Sequence, residues 1–342
     1  MIGVIGGGGW GTALAKLCAD KGYQVTIWAR EAEVVDEINF KHTNSTFLAG
    51  VELPDSVTAS TNLAEVVSAK KYLIVTVPSQ WVRSVVREIK EYVSPDTVII
   101  SASKGIEVGS LQLITDIICE ELPQVDPNAV IALSGPTHAE EVARKIPTVA
   151  VVATPSLKYA EEVQDLLITS YFRVYTNPDR IGVQLGGALK NVIALAAGIS
   201  DGLQFGDNTK AALVTRGMAE MARLGAAIGA KTPTFAGVSG MGDLFVTAYS
   251  KHSRNSWAGR ELGMGKSLSE VMNSTKMVIE GVATTQAAYK LATSLKVEMP
   301  ITFVTYRILY ENISPLDGVR QLMERVRTHE MEEVVSATYT WL

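Results

Sequence analysis

The sequence predicts an α/β fold in two parts: a doubly wound parallel sheet over residues 1–177, then an all-α domain over residues 178–342. Three observations carry this. Short β-branched, apolar runs alternate with helical patterns through the first half. A glycine-rich stretch lies between the first run and the first helical pattern. After Asn177-Pro178 the β-branched runs give way to Ala, Leu, Met and Gly at helical spacing.

The runs are IGVI (2–5), QVTIW (24–28), YLIVTV (72–77), TVIIS (97–101), AVIAL (129–133), TVAVVA (148–153) and FRVY (172–175). Strands covered on both faces by crossover helices read as continuous apolar runs. Segments 10–21 and 80–92 carry helical periodicity, and repeated βαβ units wind a doubly wound sheet. The second half, as in RIGVQLGGALKNVIALAAGIS, has no such runs, and Pro178 breaks the pattern at the junction. No internal repeat or low-complexity segment is evident.

A chain of 342 residues implies about two domains. Its 47% hydrophobic and 20% charged residues are an ordinary globular mix, able to bury its cores without staples. A net charge of −5 argues against a broad nucleic-acid footprint and leaves room for a local cationic pocket. Cys18 and Cys119 sit among apolar or helix-forming residues and are expected as small buried hydrophobes in a reducing compartment. The histidines (His42, His138, His252, His329) are scattered, with no metal-type spacing. The longest apolar stretch, around Val192 to Ile199, is short of the ~18 residues of a membrane helix. The first strand leaves no room before it for a signal peptide. A cytoplasmic protein without stable membrane insertion is expected.

Gly6, Gly8 and Gly11 fit G-x-G-x-x-G, after a strand and at the opening of a helix. The first Gly permits the tight turn, the second lets backbone approach a pyrophosphate, and the third lets helix and strand pack closely. The helix N-terminus offers free N–H groups and partial positive charge to phosphates. The sheet is therefore expected to be of the Rossmann type and to bind a dinucleotide. Gly9 lies outside the pattern and is expected to add flexibility only. The second strand ends in IWARE. Arg30 stands where an NAD-binding acid would, and a guanidinium suits a 2′-phosphate, which favours NADP over NAD. Glu31 and Glu33 follow closely and weaken that sign, and a solvated surface Arg30 fits the same pattern.

Further stretches carry chemistry. Lys104 follows the strand 97–101, at a carboxyl end where such folds bind ligands, and suits an anionic or carbonyl ligand or an ordinary loop. In SGPTHAEE, Gly135-Pro136 makes a turn and Thr137 can cap the next helix. His138 and Glu140 are two apart and diverge, so His138 is expected as a capping or surface residue. Lys190 is the only charged residue between Ile181 and Ser200, beside the face shared by Gln184 and Asn191. Either this stripe faces water or Lys190 lines a cleft between the domains. In a cleft, burial and a second cation would lower its pKa into the range of proton transfer. Asp243 and Thr247 share a helix face. Ser253, Arg254 and Asn255 resemble a helix start with a forked cation at its mouth, a ready phosphate site.

Taken together these stretches resemble the NAD(P)-dependent glycerol-3-phosphate dehydrogenase family, bacterial type, over nearly the whole chain. GGGGWGTALA, SASKGIE, SGPTHAEE, NPDRIGVQLGGALKNVIALAAGISDGL, SGMGDLFVTAYSKHSRN, VIEGVATT and EMPI match family blocks in order. The resemblance implies Lys190 as proton donor and acceptor, Asp243 as its carboxylate partner, and Thr247 in the same block. It implies Lys104, Gly135 and Thr137 as substrate-lining positions. Ser253, Arg254 and Asn255 would grip the substrate, with Arg254 also touching the cofactor. Gly9, Trp10, Arg30, Ala139, Val278 and Glu280 match cofactor positions. Gly9 departs from the Ser of many members, and His138, at a variable position often filled by Phe, is assigned no role. The implied reaction is reduction of dihydroxyacetone phosphate by NAD(P)H to sn-glycerol 3-phosphate, which feeds glycerophospholipid synthesis. A homodimer is implied as well. The alternatives are another two-domain dehydrogenase, of the 3-hydroxyacyl-CoA or 6-phosphogluconate type, and a non-catalytic NAD(P)H sensor. The first lacks a suitably placed His-Glu pair here, and the sensor has no use for Lys104, Lys190 and Asp243 together.

Overall fold

The computed structural model describes residues 1–275 and 277–326. The end of the expected helical half, 327–342, lies outside the described residues.

Eight strands form one sheet: β1 (Ile2–Ile5), β2 (Val25–Trp28), β3 (Val57–Ser60), β4 (Tyr72–Val75), β5 (Val98–Ser101), β6 (Val130–Ser134), β7 (Thr148–Ala153) and β8 (Phe172–Asn177). Their order is β3-β2-β1-β4-β5-β6-β7-β8. The chain turns both ways from β1, so a crevice opens outside the carboxyl ends of β1 and β4. Ile5 pairs with both Trp28 and Val75, which brings those carboxyl ends level.

The sheet departs from the expectation in two ways. β3 is absent from the seven apolar runs, because it is an edge strand of VTAS that alternates buried and exposed positions. β7 runs antiparallel to β6, so the sheet is mixed. The one helix between them, Ala139–Ala143, has 5 residues. It advances only ~7.5 Å, about half of a five-residue strand, too little to return the chain for a parallel neighbour. The helical pattern at 80–92 is α-helix only over Val82–Glu88, between 3-10 turns at Ser79–Trp81 and Lys90–Tyr92. Cys18 is buried as expected, whereas Cys119 is half-buried.

After β8 the described residues form no strand. The second half is organised on one helix, Arg180–Gly202, buried almost throughout. By length and composition this 23-residue helix is apolar enough to cross a membrane, which the shorter uninterrupted stretch did not suggest, but 94% of its apolar window is buried inside this chain. It is the core of the helical half. The helix Arg254–Gly263 crosses it backbone to backbone. A Cβ on Gly198 would lie 2.1 Å from the Ser256 carbonyl oxygen, and one on Gly259 would lie 2.1 Å from that of Leu195. Only glycine permits that approach, and it brings the start of the crossing helix beside Lys190 and Asn191. Ile106, in the loop after β5, packs into the helical core with Leu185 and Leu189. That loop ties the two halves together.

Candidate active site

The glycine loop lies at the carboxyl end of β1. Gly6 has φ +127°, and a Cβ there would lie 2.6 Å from the Thr76 hydroxyl oxygen. A Cβ on Gly11 would lie 1.9 Å from the Gly6 carbonyl oxygen. Above Gly8 there is open space, with nothing within 4 Å of an added Cβ. Gly8 is the N-cap of the helix Gly9–Asp20, which has no side-chain cap and no acidic residue in its first turn. Its first N–H groups and positive dipole end are thus free for an anion. Gly9 does more than add flexibility: a Cβ there would lie 2.7 Å from the Phe47 carbonyl oxygen, so the Phe47 loop closes tightly over it. Trp10 Nε1 is buried without a hydrogen-bond partner among the described residues. Arg30, just past β2, is exposed and pairs with Glu31 at 2.8 Å.

The structure buries Lys190 rather than turning it to water. The Lys190 ammonium donates to Asp243 Oδ1, and to Thr247 Oγ1 at 2.8 Å. The Thr247 hydroxyl donates in turn to the Asp243 carbonyl oxygen at 2.6 Å, which orients its lone pairs toward Lys190. Lys104 donates to Asp243 Oδ2 at 2.8 Å and to the Gly135 carbonyl oxygen at 2.9 Å. One carboxylate therefore spans two ammonium groups, one from each half of the chain. Asp243 follows a π-helical turn, Val238–Gly242, and heads the helix Asp243–Tyr249. Such turns insert an extra residue per turn and redirect side chains.

The electrostatics follow from this packing. Burial pulls the Lys190 amine down, against the attraction of Asp243 and with the repulsion of Lys104, from 10.5 to about 7. Burial raises the Asp243 carboxyl, but Lys104 and Lys190 outweigh it and hold it below the usual carboxylate range. Asp243 is thus an anion and Lys190 is poised to give or take a proton near neutrality.

The flanking positions fall around this pair. Asn255 joins three helices: its amide donates to Asn191 Oδ1 at 2.8 Å, and its Oδ1 accepts from the Gly281 N–H at 2.8 Å. Ser253 caps the helix Arg254–Gly263 by accepting from the Ser256 N–H at 3.1 Å. Arg254 is exposed at its mouth and donates to the Val278 carbonyl oxygen at 3.2 Å. Thr137 does not cap the next helix. Its hydroxyl donates to the Gly135 carbonyl oxygen at 3.2 Å, and His138 takes the N-cap position beside Ala139 with no capping bond. His138 is half-buried, not a surface residue. Its ring lies 5.7 Å from that of His252, and its Nε2 has no partner among the described residues. Gln184 is spent on structure, donating to Thr115 Oγ1 at 2.7 Å and accepting from the Thr115 N–H at 2.9 Å.

The Glu280 carboxylate is held by Ser79, whose N–H and hydroxyl donate to it at 3.0 and 2.5 Å. Burial pushes its pKa up, against these bonds and Arg254. Ser79 and its neighbour Gln80 were not among the sequence candidates. Their signal was position: they follow β4, beside β1, at the carboxyl edge where such sheets bind ligands.

Sequence and fold both match known proteins. Residues 1–160 match the family described as NAD-dependent glycerol-3-phosphate dehydrogenase N-terminus, and residues 179–320 match its C-terminus. The chain is 52% identical over 333 residues to glycerol-3-phosphate dehydrogenase (NAD(P)+) of Bacillus anthracis, covering 97% of this chain and 98% of that one. It is similar to the crystal structure of the Coxiella burnetii glycerol-3-phosphate dehydrogenase at TM-score 0.91 and 37% identity, covering 95% of this chain and 98% of that one. The Plasmodium falciparum glycerol-3-phosphate dehydrogenase follows at TM-score 0.84 and 27% identity, with 96% of each chain covered. With its glycine loop, its helical half and its buried lysine pair accounted for, this chain belongs to the NAD-dependent glycerol-3-phosphate dehydrogenase family.

Proposed function

We propose that this chain interconverts dihydroxyacetone phosphate and sn-glycerol 3-phosphate with NAD(P)H or NAD(P)+. The observation that carries the reading is the buried Lys190 ammonium on Asp243, at the junction of the two halves. The dinucleotide fits the chain: the uncapped helix start with open space above Gly8 suits a pyrophosphate. Gly6, Gly8, Gly9, Trp10 and Gly11 would hold it, with Arg30 at the 2′ position and Ala139, Lys104, Arg254, Val278 and Glu280 along its length. When bound, the nicotinamide supplies or accepts the hydride at the substrate carbon.

The protein residues do the rest. In reduction the Lys190 ammonium gives a proton to the substrate carbonyl oxygen, and in oxidation the neutral amine takes it back. Charge grows on that oxygen in the transition state, where a cation helps most. Asp243 and Thr247 hold the Lys190 amine in one direction. Lys104, Gly135, Thr137 and Asn191 line the substrate. Ser253, Arg254 and Asn255 grip its phosphate at the start of a helix, and this remote binding orients the carbonyl. Glu280 acts through the Ser79 turn it holds.

The proposal extends to setting. The product serves glycerophospholipid synthesis, and the protein works in the cytoplasm as a homodimer, without membrane insertion and without nucleic acid. Burial of the helix Arg180–Gly202, the one among the described residues both long and apolar enough to cross a bilayer, supports the absence of membrane insertion. The test is loss of nicotinamide absorbance on adding dihydroxyacetone phosphate to protein and NAD(P)H, repeated with Lys190→Ala. Oxidation by the native chain and a fall in kcat of roughly 100-fold or more in the variant are expected. Undiminished turnover of Lys190→Ala ends the role given to Lys190.

A further inference from the structure

The 3-10 turn Ser79–Trp81 holds on to two separate elements. On one side Ser79 binds the Glu280 carboxylate, which opens a helix of the second half. On the other side the Gln80 side chain grips the loop after β5 with both ends of its amide. Its Nε2 donates to the Ile106 carbonyl oxygen at 2.8 Å and to the Ser79 hydroxyl oxygen at 3.1 Å, and its Oε1 accepts from the Val108 N–H at 3.0 Å. Gly105 lies between: a Cβ there would be 2.5 Å from the Ser79 hydroxyl oxygen and 3.3 Å from the Glu280 carboxylate. Turn, loop and helix start are packed at backbone distance.

The gripped loop carries Lys104. One residue, Gly105, separates Lys104 from Ile106, whose side chain is wholly buried in the helical core. The Gln80 amide thus closes the loop immediately after the lysine. Past that point the loop has its own anchor, a two-bond contact from Arg83 Nε to the Glu107 carboxylate at 3.0 Å to each oxygen. Loss of the Gln80 amide would leave that anchor intact and free the stretch next to Lys104.

We propose that Gln80 is a positioning residue for the reaction, acting through the Lys104 loop to keep the Lys104 ammonium on Asp243. The inference rests on the proposed dehydrogenase function. Lys190 is faced by Asp243 and by Lys104, and His138 lies within range of its charge. Asp243 offers one oxygen to each lysine, so a displaced Lys104 changes both the repulsion on Lys190 and the bonding of their shared carboxylate. A misplacement of about 1 Å in such a site is worth on the order of 100-fold in rate.

The experiment is Gln80→Met, of similar length and with none of the three amide hydrogen bonds, assayed for kcat, KM, cofactor affinity and the pH dependence of the reductive rate. Expected are a fall in kcat of roughly tenfold or more and a midpoint of the reductive pH profile moved to higher pH. Gln80→Glu keeps an acceptor for Val108 and loses the donor to Ile106 and Ser79, and its kcat is expected to lie between. A purely structural role would lower the melting temperature and leave the kcat and pH midpoint of folded protein at native values; that result overturns the proposal. Should Gln80→Met not fold, native kcat and native pH midpoint in Gln80→Glu overturn it equally. Absence of dihydroxyacetone phosphate-dependent oxidation by the native chain would instead reject the function on which the inference rests.

Discussion

The Lys190 ammonium donates to the Asp243 carboxylate while the two residues are 8% and 0% exposed. An ion pair so placed exchanges hydration for one another's charge, and it holds only while both partners remain.

The first prediction is a pH dependence. With the Lys190 amine at about 7, reduction needs the ammonium and loses rate as pH rises through that region. Oxidation needs the free amine and gains rate over the same interval. Stability follows the same proton. From about 7 to 10.5 the unfolded chain binds a proton that the folded chain has released, so the contribution of Lys190 to stability rises with pH over that window. Profiles of kcat in both directions, with melting curves from pH 6 to 10, check both statements. Parallel profiles for the two directions would contradict them.

Asp243→Asn removes the shared anion and leaves two ammonium groups facing each other. Breaking a buried pair in this way costs ~3–5 kcal/mol of stability. Lys190 then releases its proton more readily, so the reductive optimum moves to lower pH and kcat at pH 7 falls roughly 100-fold. Denaturant unfolding and a pH–rate profile measure the two effects. A native optimum in folded Asp243→Asn would show that the carboxylate does not set the proton affinity of Lys190.

Arg30→Ala tests the choice of cofactor. The exposed guanidinium is paired with Glu31 and stands at the end of β2. If it meets a 2′-phosphate, kcat/KM with NADPH falls about tenfold, the worth of one charge-assisted contact, and that with NADH stays within about twofold. Equal losses with both cofactors would mean that Arg30 does not read the 2′ position.

Gly259→Ala tests the helix crossing. The new methyl group would lie 2.1 Å from the Leu195 carbonyl oxygen, so the two helices must separate. A cost of ~2 kcal/mol or more is expected. KM for the phosphate substrate should rise as well, because the helix that begins at Arg254 moves with Gly259. Gly109→Ala, where an added Cβ meets nothing within 4 Å, is the control and should leave both unchanged. Native melting and KM in Gly259→Ala would show that the crossing tolerates a side chain.

The sequence by itself determined the local grammar of this protein. The β-branched runs, the G-x-G-x-x-G spacing, the break at Pro178 and the helix start at Ser253 are short-range signals, because strand burial, tight turns and caps depend on neighbours within a few residues. β3 escaped because an edge strand needs only one buried face. The reversal of β7 escaped because strand direction depends on the path of the connection. Lys190 was legible as a lone charge in an apolar helix, but whether it met water or a carboxylate was not. Lys190 and Asp243 are 53 positions apart, and Lys104 and Asp243 are 139 apart. Only the packing of the helical half against the carboxyl edge of the sheet brings them together. The roles of Ser79 and Gln80 were decided the same way, since an amide with both ends engaged looks, in the sequence, like any surface glutamine.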